Sequence, residues 1–441
     1  MPHLPNQLQN LLARSQSAVW HPCSQMKHYE QFPLVPIARG SGVWLFDTDK
    51  NRYLDTVSSW WVNLFGHCNP RINAALRDQL DTLEHVMLAG FTHEPVVQLS
   101  ERLRELAPAD LGHCFYGSDG AAATEIALKM SAHYWRNIGK LQKTQFISLQ
   151  NSYHGETLGA LSVTDVALFR DAYSALICQQ ATVPSPDTRL AEPGESARYF
   201  ALRCADKLEQ HLQQHHAQLA AFIIEPLVQG AAGMGMYHPI YLQRARQLCD
   251  EYGVHLIADE IAVGMGRTGT MFACEQGRIT PDFLCLSKGI TGGYLPLSVV
   301  MARDEIYQAF YADDTARGFL HSHSYTGNPL ACRAALATLD IFAQDNVLAI
   351  NREKTNYLNK ISQPLQDHDA IKNWRNTGMI WAFEVDSSDR DFAQRCFALG
   401  LNNELLLRPI GNTIYFMPPY VVTNDEMEFI IHRTLNVINQ L

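Results

Sequence analysis

Three apolar runs in the middle of this chain end on residues able to do chemistry. LAAFII (219–224) leads into Glu225, VHLIADEI (254–261) carries Asp259 and Glu260 at its end, and DFLCLSKG (282–289) delivers Lys288 after Ser287. In open α/β sheets, ligands sit outside the carboxyl ends of the strands. An aspartate and a lysine at one such edge suit a ligand that needs both an acid and an amine. A pyridoxal aldehyde is that kind of ligand. The lysine carries it as a Schiff base, and the carboxylate keeps its pyridine nitrogen protonated so that the ring can act as an electron sink. Once released, the same lysine can move a substrate proton as general acid and base. Each residue also has a plainer reading: an aspartate at a strand end often caps the next turn or helix, and a lysine before Gly-Ile-Thr-Gly-Gly can simply be solvated.

The flanking motifs tip the balance. GSDGAAATEIALKM (117–130) puts Gly120 and Ala121 at the start of a helix, where unpaired N–H groups and the positive dipole end make a phosphate cradle. NSYHGET (151–157) offers Tyr153 and His154 in a loop after a strand, so that the Tyr153 ring could lie against a cofactor face. HSHSYTGNP (321–329) gathers hydroxyls and histidines in a turn-rich stretch. A metal on its two histidines has no third ligand of suitable spacing, so no metal site is expected. His215 and His216, in a Gln-rich helical stretch, read as solvated surface residues. Together these pieces point to pyridoxal 5'-phosphate as the cofactor, with Lys288 and Asp259 at opposite ends of it.

The elements that must position these residues alternate. Helical spacing marks 70–86, 121–135 and 241–253, the last closing on a glycine, and β-like runs mark 145–150, 219–226, 254–261 and 282–289. Near-continuous apolar strands separated by helices predict a mostly parallel sheet covered on both faces, an α/β fold. The first fifty or so residues read as a loop followed by short strands, with GVWLFDTDKNRYLD (42–55) as a hairpin. Beyond about residue 340 the pattern turns α+β. The expected division is a large domain over 58–340 and a small one built from 1–57 and 341–441.

Composition narrows the function classes. Apolar residues make up 46% and charged residues 18% of the 441, ordinary for a globular enzyme. With 35 Lys and Arg against 45 Asp and Glu, the formal charge is −10, which gives no support to a nucleic-acid or anionic-membrane partner. None of the ten cysteines forms a C-x-x-C pair, which argues against zinc knuckles and dithiol redox motifs. The N-terminus has no continuous apolar stretch or cleavage signature, and runs such as LAAFII are too short to span a bilayer. A cytoplasmic protein is expected.

LIADEIAVGMGRTGTMFACE (256–275), LCLSKGITGGYLPLS (284–298) and HSYTGNPLAC (323–332) together resemble the signature region of the class III aminotransferases, of PLP fold type I. Further segments resemble the biotin-pathway branch of that class, among them WHPCSQM (20–26), DTVSSWWVNLFGHCNP (55–70), IIEPLVQGAAGM (223–234) and LLLRPIGNTIYFMPPY (405–420). The resemblance implies a homodimer with shared active sites that aminates 8-amino-7-oxononanoate to 7,8-diaminononanoate. It implies Lys288 as the cofactor-bearing lysine, Asp259 on the pyridine nitrogen, Tyr153 stacked on the ring, and Gly120 and Ala121 on the phosphate, with His323 and Ser324 reaching it from the partner subunit. Trp60, Tyr153 and Ser322 would contact substrate, Arg408 would fork onto its carboxylate, and Arg267 would stand on the substrate side or support it. Two departures bear on this. Ala121 lacks the hydroxyl that relatives often place on the phosphate, and Cys23 stands where users of S-adenosylmethionine have a tyrosine able to stack on adenine. The amino donor thus stays open between S-adenosylmethionine and lysine. Another class III ω-amino acid or diamine aminotransferase is the nearest rival, and a PLP-binding regulatory homologue the non-enzymatic one.

Overall fold

A computed structural model describes residues 4–441, with side chains from residue 11 onward. The first three residues of the expected 1–57 segment lie outside the described residues. The central feature is a seven-stranded sheet. Its strands are β1 (His113–Gly117), β2 (Gln145–Leu149), β3 (Ala181–Val183), β4 (Leu219–Ile224), β5 (His255–Asp259), β6 (Phe283–Leu286) and β7 (Ser298–Ala302), in the spatial order β1-β7-β6-β5-β4-β2-β3. β7 runs antiparallel to both neighbours, and the pairs β6–β5, β5–β4, β4–β2 and β2–β3 are parallel. The mostly parallel sheet expected from the apolar runs is therefore present, with one reversed strand that the apolar pattern does not signal.

Alternation along each strand shows why the runs are apolar throughout. In β5, Leu256 and Ala258 pack into one core cluster and Ile257 into another; in β6, Leu284 and Leu286 go to the first, Phe283 and Cys285 to the second. A sheet covered on both faces needs apolar side chains at every position. The helix Gly120–Asn137 covers the second face through Ala123, Ile126, Ala127 and Met130. The register brings Asp259 beside Cys285 and Ala258 beside Ile224, so β4, β5 and β6 end at one edge in adjacent rows.

Two smaller sheets flank the large one. Ile37–Ser41, Trp44–Asp47 and Arg52–Asp55 form an antiparallel meander, and Leu405–Leu406 adds to its last strand in parallel. Ile371–Thr377, Ile380–Val385 and Thr413–Phe416 make an antiparallel sheet. The expected hairpin over 42–55 forms across Trp44–Asp47 and Arg52–Asp55. The loop expected before it does not: Leu4–Ala18 is a helix. Leu8, Leu11 and Leu12 recur at i, i+3 and i+4, a helical pattern, and Pro5 lies in the first turn, where its missing N–H costs nothing. His215 and His216, expected on the surface, are half-buried at the end of the helix Ala197–His215. Among the described residues no helix is long and apolar enough to cross a membrane.

Candidate active site

A cavity of about 450 Å³ opens at the carboxyl edge of β4, β5 and β6. Its walls include Trp61, Gly120, Ala121, Tyr153, Glu156 and Glu225, together with Asp259 and Lys288. The carboxylate and the amine singled out at the strand ends thus border one space. Glu260 turns the other way: it is buried and accepts the N–H groups of Ala273 (2.6 Å) and Cys274 (2.7 Å).

Asp259 is held from two sides. His154 Nδ1 donates to its Oδ2 at 2.7 Å, and the Ile261 N–H donates to its Oδ1 at 3.1 Å. His154 is itself buried, and its Nε2 has no partner among the described residues. The neighbouring buried carboxyl, Glu225, accepts the Tyr153 N–H and the Gly230 N–H, both at 3.0 Å, and burial pushes it up to about 7. Burial also pushes the Lys288 amine below its ordinary value, opposed by the negative charges of Asp259 and Glu225. Lys288 itself has a positive φ of 46° at the start of a short 3₁₀ turn, a strained position that recurs at functional sites.

The helix Gly120–Asn137 points its first turn at the cavity. Asp119 caps it by accepting the Ala122 N–H at 2.9 Å, which leaves the Gly120 and Ala121 N–H groups without an intrahelical acceptor. The Tyr153 loop presses on this turn. A Cβ on Gly155, at φ +122°, would lie 2.6 Å from the Ala121 Cβ, so only glycine permits the approach. Tyr153 is fixed by its hydroxyl on Glu156 (2.8 Å) and by an edge contact with Phe169 (centroids 5.1 Å apart). These residues fit a pyridoxal phosphate. A helix N-terminus for its phosphate, a buried carboxylate for its ring nitrogen, a flat aromatic ring and an amine of lowered basicity all face the same cavity.

At the mouth, four consecutive residues depart from ordinary backbone. Ser58, Ser59, Trp60 and Trp61 have φ of 51°, 46°, 74° and 72°, a single left-handed turn made without glycine. Such a turn costs about 1–2 kcal/mol per residue in steric strain, so its surroundings must hold it. The Trp61 indole lies 5.1 Å below Lys288 Nζ and donates to the Tyr415 hydroxyl at 3.0 Å. Trp60, 42% exposed, lies 4.3 Å beneath the Arg408 guanidinium. Arg408 is exposed and forms no ion pair among the described residues.

The remaining expected site residues lie elsewhere. Arg267 is buried outside the cavity wall, donating to the Pro418 carbonyl (2.8 Å) and Ser58 Oγ (3.3 Å) and lying over the Tyr420 ring. No carboxylate among the described residues pairs with it, and burial pushes its guanidinium below its ordinary value. Ser322, His323 and Ser324 are not in the wall either; His323 Nδ1 lies 2.9 Å from Ser118 Oγ, two residues before Gly120. No cluster of potential metal ligands occurs among the described residues. His154 and Glu156 sit beside Tyr153 in one motif, and their parts in the site, on Asp259 and on the Tyr153 hydroxyl, come from tertiary contacts that residue type alone does not signal. Asp55, the first residue of the segment 55–70, accepts the Ser59 N–H at 2.9 Å and the Ser59 hydroxyl at 2.7 Å.

The chain is similar to known proteins over almost its whole length. The model of the family described as aminotransferase class-III matches residues 25–438. The adenosylmethionine-8-amino-7-oxononanoate aminotransferase of Helicobacter pylori is 45% identical over 441 residues, covering 98% of both chains. Among solved structures, the enzyme of that same name from Methanocaldococcus jannaschii superposes with a TM-score of 0.92 at 33% identity, covering 98% of this chain and 99% of that one. An omega transaminase from Pseudomonas jessenii, in complex with PMP, gives 0.93 at 26% identity, with 98% of each chain covered.

Proposed function

This chain belongs to the class III aminotransferases, pyridoxal-phosphate enzymes of fold type I, and from that premise we propose that it aminates 8-amino-7-oxononanoate to 7,8-diaminononanoate for biotin synthesis. The observation that carries the substrate choice is Arg408, an exposed cation without a carboxylate partner among the described residues, stacked on Trp60 at the cavity mouth. A planar guanidinium fits the terminal carboxylate of a long keto acid. The relatives named adenosylmethionine-8-amino-7-oxononanoate aminotransferase support the same choice.

Pyridoxal phosphate, when bound, supplies the electron sink that makes the substrate's Cα–H acidic and keeps the amino group between the two half-reactions. This chain's residues do the rest. Lys288, its amine made less basic by burial, would hold the cofactor and then move the substrate's Cα proton as general acid and base. Asp259, oriented by His154, keeps the ring nitrogen protonated. The Gly120 and Ala121 N–H groups hold the phosphate, and Tyr153, braced by Glu156, lies on the ring face. The Glu156 carboxylate also offers a counter-charge to a cationic amine at the mouth. Arg267 supports the substrate side from behind, through Ser58.

His323 and Ser324 reach the phosphate, and Ser322 the substrate, from the partner subunit of a homodimer. The supporting observation is that Leu320 and Tyr325, which flank them, are 80% and 66% exposed, as residues awaiting a second copy would be. The division into a 58–340 domain and a 1–57 plus 341–441 domain accords with the parallel pairing of Leu405–Leu406 on Arg52–Asp55. A cytoplasmic location accords with the unpaired thiols of all ten cysteines. The donor is S-adenosylmethionine, as in the relatives' names, with lysine the alternative that Cys23 keeps open.

The test is a pair of half-reactions. Purified enzyme is mixed separately with S-adenosylmethionine and with L-lysine, and the visible cofactor absorbance is followed; the aminated form is then challenged with 8-amino-7-oxononanoate and with pyruvate. Rapid return of the absorbance with the first acceptor supports the reading. Return with pyruvate alone would favour an ω-amino acid aminotransferase, the second reading, to which the Pseudomonas jessenii likeness lends support.

A further inference from the structure

The left-handed turn Ser58–Trp61 has one side chain at its hub. Asp55 ends the strand Arg52–Asp55 and is fully buried. Its Oδ1 accepts the Ser59 N–H at 2.9 Å and the Val57 N–H at 3.3 Å, and its Oδ2 accepts the Ser59 hydroxyl at 2.7 Å. The His67 Nε2–H donates to the same Oδ2 at 3.0 Å, and His67 is tied in turn to Asn63 and, through paired backbone bonds, to Gly42. On the far side, Ser58 Oγ donates to the Met417 carbonyl at 2.6 Å and meets Arg267. One carboxylate thus gathers two donors from the left-handed turn and one from Val57 just before it.

The turn carries the two tryptophans to different destinations. Trp61 goes inward beneath Lys288, where its ring fills the space that a side chain on Gly230 would need (3.0 Å from a Cβ there). Trp60 goes outward beneath Arg408.

We propose that Asp55 is a positioning residue for acceptor selection: by holding Ser58–Trp61 left-handed it fixes the span between the lysine end of the cavity and the Arg408–Trp60 platform, and so selects keto acceptors with a distant carboxylate. The proposal rests on the substrate reading above. It acts through the tryptophans, and Asp55 itself touches no substrate.

The test uses the holoenzyme and three variants, Asp55→Asn, Ser59→Ala and the double variant Asp55→Asn with Ser59→Gly. The readouts are the kcat/KM ratio of 8-amino-7-oxononanoate over pyruvate and the near-ultraviolet circular dichroism of the tryptophans without substrate. Asparagine keeps one acceptor but turns an amide N–H₂ toward the Ser59 hydroxyl. The ratio is therefore expected to fall at least about tenfold in Asp55→Asn, with altered tryptophan bands, and less in Ser59→Ala. Glycine adopts positive φ without steric penalty, so Ser59→Gly is expected to restore part of the ratio in the Asp55→Asn background. An unchanged ratio and unchanged dichroism in both single variants, whatever the fall in Tm, overturns the proposal. Should Asp55→Asn fail to fold, Ser59→Ala alone decides by the same two readouts. If the parent enzyme ignores 8-amino-7-oxononanoate, the substrate reading fails, while the dichroism still reports whether Asp55 holds the turn.

Discussion

The sheet edge and the cavity mouth of this protein are built on opposite plans. At the edge, Asp259, Glu225 and Lys288 come from three adjacent parallel strands or the residues just after them, and the two carboxyls are buried in ordinary backbone, each bonded to the loop that carries Tyr153 and His154. At the mouth, Trp60 and Arg408 are exposed, and the backbone, left-handed over four residues, is tied by side-chain hydrogen bonds to nearby Asp55 and to Tyr415 and Met417 far along the chain. Sheet register is set by the whole core and tolerates little variation; a turn held by a few side chains can be re-aimed by changing one of them. The chemistry common to a family suits the first plan and the choice of acceptor suits the second. Damage at the edge should therefore stop every reaction alike, whereas damage at the mouth should separate one acceptor from another.

The largest effect tests the edge. Lys288→Ala removes the amine that carries the cofactor and moves the proton, so turnover with every acceptor should fall by at least about 10³-fold, and the visible absorbance of the purified protein should vanish. Activity and absorbance that survive would end the assignment. Asp259→Asn comes next. It keeps the shape but cannot stabilise a protonated ring nitrogen, and kcat should drop on the order of 10²–10³-fold for pyruvate and for 8-amino-7-oxononanoate together. A drop confined to one acceptor would break the contrast between edge and mouth.

Arg408→Ala tests the other side. The guanidinium is exposed in the free protein, which discounts its value, but a bound keto acid would cover it. A loss of about 2 kcal/mol, or roughly 30-fold in apparent affinity for 8-amino-7-oxononanoate, is expected, with kcat for pyruvate little changed. Equal loss for both acceptors would place Arg408 in the common machinery; no loss for either would remove it from the pocket.

The same contrast explains what could be read from the sequence. β4, β5 and β6 were legible because a sheet buried on both faces needs uninterrupted apolar runs, and residues at their ends are exposed to ligand by topology alone. That is why Asp259 and Lys288 stood out without any relative to compare. The turn at Ser58–Trp61 was not legible. Positive φ is usually signalled by glycine or asparagine, and here there is neither; the serine hydroxyl and the indole N–H that hold it reach partners 359 and 354 residues away. Arg267 is named by the resemblance alone, and its nearest hydrogen-bond acceptor, the Pro418 carbonyl, is 151 residues distant. The helix Leu4–Ala18 had a local signal, its leucine spacing, which the prolines around it masked. The reversed strand β7 had none: Ser298–Ala302 is as apolar as its parallel neighbours, and direction leaves no mark on composition.

The smallest expected effect is a shift in pH dependence, and it probes how the edge tunes its own lysine. Burial lowers the Lys288 amine, and the negative charges of Asp259 and Glu225 each work against that lowering. Glu225 is pushed up to about 7 by its own burial, so its charge, and its support for a protonated Lys288, appears only as pH rises through that value. Glu225→Gln removes that charge. Above about pH 7 the variant's Lys288 should therefore lose its proton more readily, and the midpoint for cofactor uptake by the apoenzyme should move to lower pH, since the neutral amine is the nucleophile. Below that pH, where Glu225 is already neutral, the ratio of variant to parent rates should stop changing. Glutamine keeps one of the two backbone acceptors, for Tyr153 or for Gly230, and sets an N–H₂ against the other, so absolute rates should fall slightly. The midpoint is thus the quantity to measure, by following visible absorbance during reconstitution from about pH 6 to about pH 9. A midpoint that rises, or stays put, would mean that Glu225 serves the Tyr153 loop through its hydrogen bonds alone and lends the lysine no charge.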